Sequence, residues 1–392
     1  MKAFYLFCFG FFSIYSAFAQ CNGRYESEIF PDVTFTTQTY STPYNLELDV
    51  YTPTGDIETN RPLVILAHGG SFVSGSKTNP VMVELANDLA KRGYVAASIS
   101  YRLISFSSIS NPSQYVDGVV KGLGDGRAAI RYFYKDVIEN GNTFNIDTTQ
   151  IYFGGNSAGG VIGLHAGFLD PSDSPGSEFT TALNANGGIE GNSGNAGYSS
   201  DLAGVISLAG GLSDVNFIQT TDTDKLLVTC HGDQDNVVPY TCGAPLSQTT
   251  LPELCGGGSI NLHTSAMNSA SFHALSFPGE EHCPWNSNTT IKTETFNFVF
   301  DKLYKSLPCF WPVGINESAV STVDMFPNPT QNNITINTTE NIIACRIMDL
   351  NGKQQIRSGN EKIISLNHLQ KGIYFIEIET PSGIYTKKIV KI

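Results

Sequence analysis

Short, largely apolar runs recur along most of this chain, and they restrict its fold more than any other feature. Leu63–Ala67, Val95–Ser100, Ile151–Phe153, Val205–Ala209 and Leu226–Cys230 are apolar at nearly every position. Strands of that kind are covered on both faces. Between the first two lies Val81–Arg92, with Met82, Leu85, Ala86, Leu89 and Ala90 on one helical stripe and Gly93 as its stop. A second helix is expected over Gly126–Asn140, with Ala129, Phe133 and Val137 on one face. Strands alternating with helices from Leu46 to about Leu307 predict an α/β fold, a mostly parallel sheet with helices on both faces. Three stretches interrupt the rhythm: Ile104–Gly118, Asp170–Asp201 and Thr241–Ala270, all rich in Ser, Gly and Asn. They read as long binding loops.

Both ends differ in character. Lys2 precedes an almost wholly apolar run to Phe18, and Ala17 and Ala19 stand at the −3 and −1 positions before Gln20. That pattern predicts a cleaved export signal over 1–19 and a mature protein without a membrane span. Gln20 departs from the small residue that lipid attachment at Cys21 would need. From Ser321 onward, short alternating strands are expected at Asn332–Ile336, Ile342–Asp349 and Ile373–Ile378, punctuated by Asn351-Gly352 and Pro381-Ser382-Gly383. The expected organisation is a signal at 1–19, a catalytic domain at 20–308, a linker at 309–320 and a small β-sandwich at 321–392. Lys and Arg total 23 against 36 Asp and Glu, a net charge of −13, which argues against a nucleic-acid partner.

The chemistry concentrates in four places. Gly155-Asn156-Ser157-Ala158-Gly159 follows the strand Ile151–Phe153 and opens an apolar, helix-like stretch through Leu169. G-x-S-x-G between a strand and a helix is the setting of a nucleophile elbow, where Gly155 and Gly159 let backbones pass closely. A serine hydroxyl is a weak nucleophile, so a base must take its proton and an acid must orient that base. Asp235, in the loop after Leu226–Cys230, is the expected acid, with Asp233 and Asp214 as rivals. His282, just past an apolar strand at Ala274–Phe277, is the expected base, with His263 and His273 as rivals. Ser, Asp, His along the chain is the order of one hydrolase fold. The fourth place is His68-Gly69-Gly70-Ser71-Phe72 at the end of Leu63–Ala67, where the backbone amides of Gly70 and Ser71, together with Ala158, are the expected oxyanion donors.

Taken together, HGGSF, SISYRL, IYFGGNSAGG and HGDQDNVVP resemble the carboxylesterase and hormone-sensitive-lipase-like, feruloyl-esterase-like branch of the α/β-hydrolases over residues 45–305. That resemblance implies a serine ester hydrolase needing no metal and no organic cofactor, and it places the acid at Asp235. The chain departs from the family at Ser71, where glycine is frequent, and at Asn156, where aspartate is usual; the second is expected to be a surface detail. The tail is similar to type IX secretion sorting domains of the Bacteroidota, through Phe326-Pro327-Asn328-Pro329, Asp349-Leu350-Asn351-Gly352, Leu369–Phe375 and Lys387–Lys391. This implies contact with the secretion machinery and a secreted or surface-attached protein.

The expected function is hydrolysis of carboxylic esters through an acyl-enzyme, the loops suggesting bulky or polymer-linked esters such as feruloyl or acetyl polysaccharide or polyester. The alternatives are a secreted serine peptidase of the same fold and a non-catalytic carbohydrate-binding or adhesion protein on a hydrolase scaffold. Export makes disulfides plausible. Cys242 and Cys255 bracket one loop and are expected to pair, which is worth about 3 kcal/mol in the chain-entropy picture.

Overall fold

The computed structural model describes Cys21, residues 23–310 and, towards the C-terminus, residues 323–338, 340–349, 354–380 and 383–392. The expected signal segment and the linker beyond Phe310 lie outside the described residues. The chain forms two compact units, one within Gln20–Trp311 and one at the C-terminal end.

In chain order the first unit contains β1 (Val33–Ser41), β2 (Leu46–Pro53), β3 (Arg61–Ala67), α1 (Pro80–Lys91), β4 (Val95–Ile99), α2 (Pro112–Glu139), β5 (Ile146–Asn156), α3 (Ala158–Phe168) and α4 (Ser177–Ala185). There follow β6 (Gly204–Leu208), β7 (Leu226–Gly232), β8 (Cys242–Gly243), β9 (Leu254–Cys255), α5 (Gly257–Ser265), β10 (Phe272–Phe277) and α6 (Thr289–Ser306). Eight strands make one sheet in the order β1-β2-β4-β3-β5-β6-β7-β10. β2 runs antiparallel to both of its neighbours, and every pairing from β4 through β10 is parallel.

Side-chain alternation along the strands sends residues to two separate cores. Ile65, Phe153 and Val205 pack with Ile130, Phe133 and Ile162 of α2 and α3. Val64, Leu66, Ile206 and Val228 pack with Leu85 and Leu89 of α1 and Val299 and Leu303 of α6. The stripe read in α1 is the buried one, and Asn79 caps that helix by accepting from the amides of Val81 and Met82 at 3.2 and 3.3 Å.

The interrupting stretches carry more order than the sequence suggested. α2 starts at Pro112, so the expected loop Ile104–Gly118 ends inside it, and α4 and α5 occupy parts of the other two. Glycines weaken helix propensity, which hid the first half of α2. Packing explains them: a Cβ on Gly126 would sit 2.7 Å from Ile162, and one on Gly124 3.1 Å from the Cα of Gly191. Tertiary contact therefore overrides local preference there.

β8 and β9 form a separate two-stranded ribbon, and Cys242 and Cys255 are disulfide-bonded across it. A second disulfide joins Cys21 to Cys309, tying the first described residue to the end of the unit. The sequence left that pairing open. Among the described residues no helix is long and apolar enough to cross a membrane.

The C-terminal unit comprises β11 (Val323–Phe326), β12 (Asn333–Thr338), β13 (Ala344–Met348), β14 (Gln354–Ser358), β15 (Ile363–Ser365), β16 (Gly372–Thr380) and β17 (Gly383–Lys391). They pair as a three-stranded sheet, β11-β12-β15, and a four-stranded sheet, β14-β13-β16-β17, both antiparallel. Ile334 and Ile336 from one sheet and Ile347, Ile376, Ile378 and Ile389 from the other share a single buried core. This is the β-sandwich expected from the alternation.

Candidate active site

Ser157 stands between β5 and α3, with φ 55° and ψ −116°. Such a backbone is rarely adopted by a residue with a side chain and persists only where its surroundings enforce it. They do so here by close approach. A Cβ on Gly155 would lie 2.2 Å from the carbonyl carbon of Gly159, and one on Gly159 would lie 2.0 Å from the carbonyl oxygen of Ala67. Both glycines are thus needed for the turn to close. The Ser157 amide donates to the carbonyl of Leu208 at 2.7 Å, which ties the turn to β6.

His282 and Asp235 arrive from the ends of β10 and β7. The Ser157 hydroxyl and His282 Nε2 are 2.8 Å apart, and His282 Nδ1 is 2.6 Å from Asp235 Oδ2. An ionised carboxylate can only accept, so Nδ1 carries the proton and Nε2 is left to accept from the serine. The other oxygen of Asp235 accepts from the amides of Val237 and Val238 at 2.8 and 3.0 Å. Burial alone would raise the Asp235 pKa; the N–H donors of His231 and His282 outweigh it and hold the carboxyl well below the usual carboxylate range. Asp235 is therefore charged throughout the neutral range.

The rivals lie elsewhere. Asp214 accepts from the backbone and side chain of Asn216 at 2.9 and 2.8 Å, a local turn at its own loop. Asp233 accepts from the amide of Gly279 at 2.8 Å, joining the acid loop to the loop that carries His282. His263 bonds the carbonyl of Ile218, and His273 is on β10, well before the loop of His282.

The segment expected to hold the oxyanion follows β3. Gly69, Gly70 and Ser71 line the same cleft as Ser157 and His282, and Ser71, Ser157 and Ala158 line a slot that shares residues with it. Ala158 is the first residue of α3, so its N–H has no acceptor within the helix. Gly70 has φ 121°, and Ser71 is at φ 52°, so the non-glycine at this position is accommodated in the left-handed region. His68 is buried beneath: its ring stacks on Tyr101 at 4.2 Å, its Nδ1 donates to the carbonyl of Gly69 at 2.7 Å, and the Tyr101 hydroxyl donates to its own carbonyl at 2.9 Å. Burial lowers the pKa of His68, favouring its neutral form as a strut under the loop.

Asn156 corrects an expectation. It is only 5% exposed, and its Oδ1 accepts from the indole N–H of Trp285 at 2.8 Å. The bond pins the loop bearing His282 to the elbow. His231 was also passed over; its Nε2 lies 3.1 Å from Asp235 Oδ2. The sequence offers only its position, a histidine four residues before Asp235 near the end of the same strand.

The cleft beside Ser157 has a volume of about 300 Å³ and a polar rim that includes Ser74, Asn79, Asn156 and Asn286. The slot is about 10 Å³ and is walled by Phe72, Tyr115, Val161, Val238 and Leu246. A larger cavity of about 550 Å³ lies near the amino ends of β6, β7 and β10 and contains none of these groups. Its lysines are already paired: Lys225 with Asp222, and Lys302 and Lys305 with Asp301.

Residues 48–210 match the family model BD-FAE, and residues 324–392 match the secretion system C-terminal sorting domain. The chain has the α/β-hydrolase fold and ends in a secretion-sorting domain. Among solved structures, the apo form of esterase 2 from Thermogutta terrifontis aligns with a TM-score of 0.50 at 17% identity, over 72% of this chain and 97% of that one. The same esterase phosphonylated by sarin aligns with a TM-score of 0.50 at 16% identity, over 70% and 95%. At such identity the likeness is one of fold. No curated protein matches the chain. Its tail marks it for export by type IX secretion to the cell surface or beyond.

Proposed function

We propose that the protein is an exported serine carboxylic-ester hydrolase that forms an acyl-enzyme and prefers short acyl groups on large, polar alcohols. The observation that carries the reading is the continuous relay Ser157–His282–Asp235, with bonds of 2.8 and 2.6 Å, next to an oxyanion segment. Ser157 attacks the ester carbonyl as His282 takes its proton. Asp235 stabilises the imidazolium, and the amides of Gly70, Ser71 and Ala158 take the developing oxyanion. His282 then returns the proton to the leaving alcohol, and water, activated by the same histidine, releases the acid.

The two recesses suggest which half of the ester goes where. An apolar slot of about 10 Å³ holds roughly one small group, so it suits an acetyl methyl. The cleft of about 300 Å³, lined in part by Ser74, Asn79 and Asn286, suits a hydroxylated alcohol such as a sugar unit.

A serine-directed fluorophosphonate and an ester panel test the reading. Stoichiometric labelling at Ser157 is expected, with acetyl esters turned over about 10- to 200-fold faster than esters whose acyl chain is one methylene longer. Faster cleavage of matched amides would move the assignment to a peptidase, and absent labelling would make the scaffold non-catalytic. Export is tested separately. Deleting residues 322–392 is expected to stop secretion and leave the specific esterase activity of the remaining chain unchanged; normal secretion of the truncated chain would refute the sorting role.

A further inference from the structure

His231 is the last residue but one of β7 and only 2% exposed, and the proposed chemistry gives it no task. Its ring is fixed on both nitrogens. Nδ1 accepts from the amide of Gly257 at 3.1 Å. A ring nitrogen that accepts carries no proton, so in the neutral imidazole the proton is on Nε2. Nε2 lies 2.9 Å from the carbonyl of Val238 and 3.1 Å from Asp235 Oδ2. One N–H therefore spans the two ends of the acid loop.

The surroundings leave the ring little freedom to turn over. A Cβ on Gly256 would sit 2.8 Å from its Cε1 and one on Gly257 2.9 Å from its Cβ, and the edge of Tyr240 packs on the remaining side. Gly256 and Gly257 directly follow Cys255, which is held by its disulfide to Cys242 and by reciprocal backbone bonds to Leu212 at 3.0 and 2.7 Å. The amide that sets the tautomer thus comes from a fixed segment.

We propose that His231 is a positioning residue of this site, a neutral imidazole locked with its proton on Nε2 that holds Asp235 Oδ2 in line with His282. The inference rests on the serine-hydrolase reading only for its kinetic consequence. Without the His231 donor, Oδ2 keeps His282 as its sole side-chain partner, and the carboxylate can rotate about the two amides that hold Oδ1.

Two variants of the full chain separate positioning from packing. His231→Leu retains bulk without a donor, and His231→Gln keeps an N–H in reach of Asp235. Nitrogen-15 histidine spectra of the unaltered chain are expected to show His231 as the Nε2–H tautomer. The low-field proton shared by His282 and Asp235 is expected to broaden or vanish in His231→Leu and to persist in His231→Gln. On acetyl esters, His231→Leu is expected to lower kcat by about 10- to 100-fold, the worth of one hydrogen bond to a charged group, with KM unchanged and most of the loss recovered by His231→Gln. An Nδ1–H tautomer, or a low-field proton indifferent to either substitution, overturns the proposal. Should His231→Leu fail to fold, the tautomer and the behaviour of His231→Gln decide. Should the unaltered chain hydrolyse no ester, the functional reading falls, and the two spectroscopic measurements still judge the positioning role.

Discussion

Ser157→Ala is expected to lower ester turnover by about 10⁶-fold, the scale seen when the nucleophile of a serine hydrolase is removed. The reason is chemical. Alanine keeps the Cβ, and so keeps whatever strain the backbone bears at φ 55°, but it supplies no oxygen to attack the carbonyl. The two glycines that let the turn close stay in place, and the Ser157 amide still reaches the carbonyl of Leu208. With the hydroxyl goes its 2.8 Å bond to His282, whose net worth is about 1 kcal/mol. Thermal unfolding of the variant should therefore stay close to that of the unaltered chain while turnover and fluorophosphonate labelling disappear. Activity within tenfold of the unaltered chain would remove Ser157 from the mechanism.

The candidate site was legible in the sequence where chemistry demands a fixed local setting. A serine between glycines at a strand–helix junction, and a glycine pair after a buried strand, declare their geometry because few other residues fit those backbones. The chain-distant partners were legible only through order, since nothing local to His282 distinguishes it from His273. What escaped was tertiary in origin. The first half of α2 gave no helical signal because glycines there weaken helix propensity, and their use is to let Ile162 and Gly191 approach. Asn156 read as surface because its partner, Trp285, is 129 positions away. β1 escaped because six of its nine residues are Thr, Gln or Ser and most of its length is exposed, so it lacks the apolar run that marks the central strands. His231 escaped because a histidine's role depends on what each ring nitrogen meets, and one of the two meets Gly257, 26 residues further on.

Asp235→Asn is expected to lower kcat by about 10⁴-fold, as it does when the orienting aspartate of a serine protease is made an amide. The hydrogen bonds around Asp235 give the cause. Every group that reaches its carboxylate is a donor: the amides of Val237 and Val238 on one oxygen, His282 and His231 on the other. Asparagine offers one acceptor and one donor in the same space. If its oxygen stays on the two backbone amides, its NH₂ faces His282 Nδ1 and can be satisfied only when that nitrogen has no proton. The proton then resides on Nε2, which can no longer accept from Ser157. If the amide turns the other way, its NH₂ meets two backbone N–H groups and the acid loop must open. Either arrangement disables the base without removing an atom from the site. The rivals predict the contrast. Asp233→Asn preserves an acceptor for Gly279, and Asp214→Asn alters a turn joined to Asn216, so each should cost about tenfold or less. Steady-state kinetics of the three variants on one acetyl ester decide the matter: a collapse in Asp214→Asn, with Asp235→Asn near normal, would require the acid to be sought after β6 instead of β7.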